Sequence, residues 1–109
     1  MSKEDNMMIG FTIVAIAGDA RAEIMRAFEA AKSKNFQEAQ AHIENANRFI
    51  NEAHVEQTQL LAKESRGEVG EMSFVMVHGQ DHLMTTMALR DIAKYFIDVY
   101  PVSYTHLRA

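Results

Sequence analysis

Apolar positions recur along this chain at intervals of three and four, the spacing of one face of a helix. From about residue 3 to about residue 34 the recurring positions are Gly10, Val14, Ala17, Gly18, Arg21, Met25 and Phe28. Ser2 followed by Asp5 predicts a capping box at the start of this first helix. Gly10 and Gly18 each cost about 1 kcal/mol relative to alanine inside a helix. Both share a stripe with Ala17, so the expected compensation is close approach of another helix backbone.

A second helix is predicted from near Asn35, an N-cap residue with Glu38 placed to complete a capping box. Phe36, Ala39, Ile43, Ala46, Ile50, Ala53, Gln57 and Leu60 follow in alternating steps of three and four. That is a heptad seam, with Gln57 as its one polar member. The helix is expected to end around Arg66 and Gly67, where glycine suits a C-terminus.

The third helix is predicted over about residues 70–100, stopped by Pro101. Met72, Phe74, Val75, Met76, Val77, Leu83, Met84, Met87, Leu89, Ile92, Phe96 and Ile97 cover more than one of its faces. A helix apolar nearly all round is buried nearly all round. Three helices of one chain cannot enclose it, so a homo-oligomer with this helix at its centre is expected. The fold class expected is all-α, an antiparallel three-helix bundle. The helical domain spans residues 1–100, followed by an irregular tail over residues 101–109, and His106 in that tail is expected to have no function.

Composition narrows this little further. A chain of 109 residues, 48% hydrophobic and 24% charged, is the size and character of one soluble domain. With no cysteine, disulfides, thiolate nucleophiles and cysteine metal sites are excluded, and a cytoplasmic location fits. The net charge of −4 and the lack of a basic stripe argue against nucleic acid. The apolar run over residues 7–17 is too short to span a bilayer. Glu4 and Asp5 before it do not suit a signal peptide.

The chemistry concentrates in Val77-His78-Gly79-Gln80-Asp81-His82-Leu83-Met84. On a helix His78, Asp81 and His82 share one face, which Thr85 continues. Three polar groups inside the most apolar segment are expected to be buried and to need partners. Imidazole binds metals and, when neutral, attacks phosphorus. His82 and His78, four apart, also have a metal-ligand spacing. His42 is expected on the surface and His54 as a structural residue. The methionines are expected as core filler. Asp19 and Arg21 are expected to bond to neighbouring helices.

This run resembles the signature of the lactose/cellobiose class of enzyme IIA proteins of the bacterial sugar phosphotransferase system. Ala17-Gly18-Asp19-Ala20-Arg21 resembles the family's first-helix motif. Ala53-His54 with Gln57-Thr58-Gln59-Leu60 resembles its second-helix motif. The resemblance covers roughly residues 6–100; the family closes soon after its third helix, whereas this chain continues from Pro101 to Ala109.

The resemblance implies a homotrimer of three-helix chains. It implies that His78 accepts phosphate from phospho-HPr as a tele-phosphohistidine, with His82 assisting. The phosphate then passes to a cysteine of the transporter's IIB component. It further implies one metal ion per trimer, shared by three copies of Asp81, and oxygen ligands suit Mg2+. The sugar stays open among lactose, cellobiose and chitobiose. Two rivals stand beside this reading. One is a helical metalloprotein with His78 and His82 as ligands. The other is a purely structural helical oligomer, which leaves the polar triplet unexplained.

Overall fold

In a computed structural model the chain forms three helices: α1 (Lys3–Lys32), α2 (Phe36–Ser65) and α3 (Phe74–Arg108). The structure describes the backbone of residues 1–108 and the side chains of residues 1–99 and 101. Successive helices are antiparallel, so α1 and α3 run side by side in the same direction. Ile13 faces Gly79 near one end, and the ring of Phe28 meets that of Phe96 at 6.3 Å further along. The expected three-helix bundle is therefore what forms.

The capping box of α1 is present: Ser2 Oγ accepts the N–H of Asp5, and the Asp5 carboxylate accepts the N–H of Ser2. The same backbone bond holds the Asp5 carboxyl below its ordinary pKa. The box expected at Asn35 is absent, and the Asn35 side chain caps nothing. The turn from α1 into α2 is too tight for it. Lys34 takes a positive φ of 68°, and the Asn35 N–H is spent on the carbonyl of Ala30. At the far end α2 stops as expected, with Gly67 at φ 70°.

The α2 seam is buried as its spacing implies, from Ala39 through Ile43, Ala46 and Ile50 to Ala53. On α1 the buried face is Asn6, Gly10, Ile13, Ala17, Ala20, Ile24 and Ala27. This is rotated from the stripe read in the sequence: Gly18, Arg21 and Met25 are exposed. Alanine every third or fourth residue lets α1 lie close to both partners, and the isoleucines between them fill the core. Each fully buried Ile or Leu contributes about 1.5–3 kcal/mol. Of the eight methionines only Met76 is fully buried, so core filling does not account for them.

Helix α3 begins at Phe74, later than expected. The preceding segment is held in a non-helical path by Gly70 at φ 75° and by the buried Asn6 amide, which donates to the carbonyls of Val69 and Glu71. Ser73 Oγ accepts the N–H of Met76 and starts the helix. At the other end the helix does not stop at Pro101. Proline loses its bond to the carbonyl of residue 97 and crowds that carbonyl with its ring, at a cost of about 3 kcal/mol, yet the helix continues past it. The backbone is helical through Arg108, so the irregular tail expected there is not seen. The side chain of His106 and residue Ala109 lie outside the described residues.

The bundle measures 60 × 20 × 18 Å, about two helix diameters thick. It cannot enclose α3. Phe74, Val77, Met84, Ile92, Tyr95 and Val99 remain exposed along one side of that helix.

Candidate functional site

Two glycines set the position of the site. A Cβ on Gly10 would stand 2.7 Å from the backbone nitrogen of Met76, and one on Gly79 would stand 3.0 Å from the carbonyl oxygen of Gly10. Helices α1 and α3 therefore touch backbone to backbone one residue from His78. The expected close approach holds at Gly10. It fails at Gly18, where nothing lies within 4 Å of an added Cβ.

His78 projects outward from this crossing and is exposed. His82, one turn on, is half-buried, and its ring stands edge-on to that of His78, with centroids 4.5 Å apart and planes at 80°. One turn back, the ring of Phe74 lies parallel to His78 within 8°, at 6.5 Å. Phe74 sits four residues before His78, a spacing in the sequence that marks it as a neighbour of the site.

Asp81 is exposed as well, so the expected burial of the polar triplet does not hold within one chain. The triplet lies on the outward side of α3, among the apolar residues the other helices leave uncovered. Among the described residues no side chain bonds to the Asp81 carboxylate, and no lysine or arginine bonds to His78 or His82. The Thr85 hydroxyl is spent on the carbonyls of Asp81 and His82, at 2.8 and 3.2 Å. Beside the triplet, Gln57 of α2 donates to Gln80 Oε1 at 2.8 Å and to the Met84 sulfur at 3.5 Å.

The remaining candidates fall elsewhere. His42 is half-buried rather than on the surface: Nδ1 meets Glu23 at 2.5 Å and Nε2 lies 3.7 Å from Glu38, at the opposite end of the bundle from His78. His54 is exposed, and its side chain bonds to nothing among the described residues. Asp19 and Arg21 are exposed and, among the described residues, lack the interhelical bonds expected of them, because both lie off the rotated contact face.

The arrangement offers an accessible imidazole nucleophile with a second imidazole beside it. As a metal site for one chain it falls short. Among the described residues no group of three His, Cys, Asp or Glu side chains could hold an ion. Among them, too, no helix is long and apolar enough to cross a membrane.

Residues 8–101 match the family described as the PTS system lactose/cellobiose specific IIA subunit. The PTS lactose-specific EIIA component of Staphylococcus epidermidis is 47% identical over 100 residues, covering 92% of this chain and 96% of that protein. The component of the same description from Staphylococcus aureus strain N315 is 48% identical, covering 92% and 97%. The PTS cellobiose-specific enzyme IIA structure from Bacillus anthracis superposes with a TM-score of 0.88 at 36% identity, covering 96% of this chain and 94% of that one. IIA(chitobiose) of Escherichia coli, solved in complex with HPr, superposes with a TM-score of 0.72 at 30% identity, covering 100% and 99%.

Proposed function

This chain belongs to the lactose/cellobiose-specific IIA family of the sugar phosphotransferase system, and from that premise we propose that His78 carries a phosphoryl group from phospho-HPr to the IIB component of a sugar transporter. The reading rests above all on the exposed His78 ring with His82 edge-on beside it. A lone pair on His78, at Nε2, forms the new N–P bond. The N–P bond to the HPr histidine breaks and its electron pair returns to that ring. In the onward step a IIB cysteine thiolate attacks phosphorus, and the pair of the breaking bond returns to His78.

The protein's part in such a transfer is positioning and charge stabilisation. His82 is placed to donate an N–H to a phosphoryl oxygen, a charge-assisted bond. His78 lies just beyond the first turn of α3, toward the positive end of its dipole. His78 itself stays exposed, which a ring that must meet two protein partners requires.

The uncovered side of α3 favours a homotrimer. Phe74, Val77, Asp81, Ala88, Ile92, Tyr95 and Val99 follow one another in steps of three, four and seven. Parallel copies of α3 around a threefold axis would bury this strip and bring three Asp81 side chains together. An unpaired carboxylate in the middle of an apolar strip fits an oxygen-liganded ion there. Held by Asp81 of three copies, Mg2+ would supply the charge that offsets their repulsion.

The test is reconstitution with phosphoenolpyruvate, enzyme I and HPr, followed by intact mass and 31P spectra. One phosphoryl group per chain, bound through nitrogen and labile in acid, is expected. A chain that remains unmodified while HPr is phosphorylated contradicts the proposal.

A further inference from the structure

We infer that the phosphoryl site is completed across the subunit boundary, with the Gln57 amide of one copy donating a hydrogen bond to the phosphoryl group on His78 of the next. The inference rests on the trimer proposed above and adds to it a residue and a direction.

Within one chain the phosphoryl group is short of donors. Only His82 stands beside it, and no cationic side chain bonds there among the described residues. The two flanks of the exposed α3 strip are different. One flank borders α1 and carries His78, Thr85 and Phe96, with Phe96 against Phe28 of α1. The other borders α2 and carries Gln80 and Met84, both bonded to Gln57 of α2. In a parallel ring each helix meets the next through unlike flanks. The α1-side flank of one copy therefore faces the α2-side flank of its neighbour, and copies stand level along the axis. His78 faces the level of Gln80, because two residues of helix rise only about 3 Å, while Met84 lies about 9 Å along the helix.

Gln57 is suited to the role. Gln80 accepts one of its N–H groups at 2.8 Å and fixes the amide. The other N–H rests on the Met84 thioether at 3.5 Å, a weak acceptor. Met84 is exposed on the flank that would face the neighbour. A phosphoryl oxygen arriving there is a far stronger acceptor than sulfur. The amide is neutral, so it leaves no buried charge once the phosphate has moved on. Gln80 is a positioning residue in this scheme, since it acts through Gln57.

Mixed trimers test this. Gln57→Leu removes the donor at similar volume and is expected to slow phosphate acceptance from phospho-HPr about tenfold, the scale of one hydrogen bond to a charged group. In trimers co-expressed from equal amounts of His78→Gln and Gln57→Leu chains, every intact His78 sits on a chain lacking its own Gln57. About half of those sites have a neighbour that supplies it. Acceptance should be biphasic, with about half the amplitude at the wild-type rate.

Uniformly slow acceptance would overturn the inference, because Gln57 would then act within its own chain. A Gln57→Leu homotrimer as fast as wild type would overturn it too. Gln57→Glu, which keeps the polar side chain but turns a carboxylate toward the phosphoryl group, should be slower than Gln57→Leu and rescued in the same mixtures. Sedimentation of the same samples separates the premise from the inference. Single chains would remove the trimer, whereas trimers without rescue would remove Gln57 alone.

Discussion

The carbonyl oxygen of Gly10 lies 3.0 Å from the point where a Cβ on Gly79 would stand, so the nucleophile's helix is seated on the backbone of α1. At Gly10 the constraint is tighter still, because an added methyl would meet Met76 backbone atoms at 2.7 and 2.8 Å. Gly10→Ala must push the two helices apart. It should cost about 1–3 kcal/mol, the range for overpacking a well-packed contact. It should also slow phosphate uptake, since His78 rides on the displaced segment. Gly18→Ala meets nothing within 4 Å and removes a helix-interior glycine. That variant should be neutral or more stable by up to about 1 kcal/mol. Thermal unfolding of the two variants side by side checks the contrast.

Asn6 ties α1 to the segment that starts α3. Its buried amide donates to the carbonyls of Val69 and Glu71. Asn6→Leu leaves both acceptors without their partner. A loss of about 1–3 kcal/mol is expected. Amide hydrogen exchange should accelerate first at the beginning of α3, and an unchanged exchange pattern there would contradict the role.

Glu23 and His42 join α1 to α2 far from His78. The hydrogen bond from His42 is the main reason that the Glu23 carboxyl titrates below its ordinary 4.5, with lesser help from Asn45 and Arg26. A carboxyl whose folded pKa is depressed adds stability in full above its unfolded value. That contribution disappears as pH falls through the lower folded one. Wild type should therefore exceed Glu23→Gln in stability by up to about 1 kcal/mol near neutrality. The difference should shrink once pH drops below 4.5. Phosphate acceptance should be the same in both. A gap in melting temperature that does not narrow in acid would show that the bond contributes through something other than charge.

Asp81 links metal to assembly in the trimer proposed. A chelator should lower the melting temperature of wild type by leaving three carboxylates facing one another. Asp81→Leu removes ligand and repulsion together, so its melting temperature should ignore the chelator and its sedimentation should remain that of a trimer. Equal chelator effects on both proteins would place any ion elsewhere.

Much of this architecture was legible in the sequence, and the exceptions have physical causes. The α2 seam could be read directly because its alanines and isoleucines stand out against mostly polar neighbours such as Glu44, Asn45 and Glu52. On α1 the buried face meets two helices and is built of alanine and glycine. Small residues carry little periodic signal, and the exposed Met25 and Arg21 drew the stripe off its true angle. The His78 motif was recognisable at once. Its exposure was not, because apolar neighbours such as Val77 and Met84 read as core although both are exposed. Asn6, a buried tie to the segment before α3, gave no sign in its spacing. Pro101 misled in the opposite sense, since one missing donor does not oblige a helix to end.

The central claim is that His78 and no other residue takes the phosphoryl group. The direct measurement is phosphate incorporation from phosphoenolpyruvate through enzyme I and HPr into wild type, His78→Gln and His82→Gln, read by intact mass and by 31P spectra. One phosphoryl group per chain is predicted for wild type, none for His78→Gln at unchanged helicity and sedimentation, and slower incorporation for His82→Gln. Incorporation into His78→Gln, or its loss in His82→Gln alone, would contradict the account.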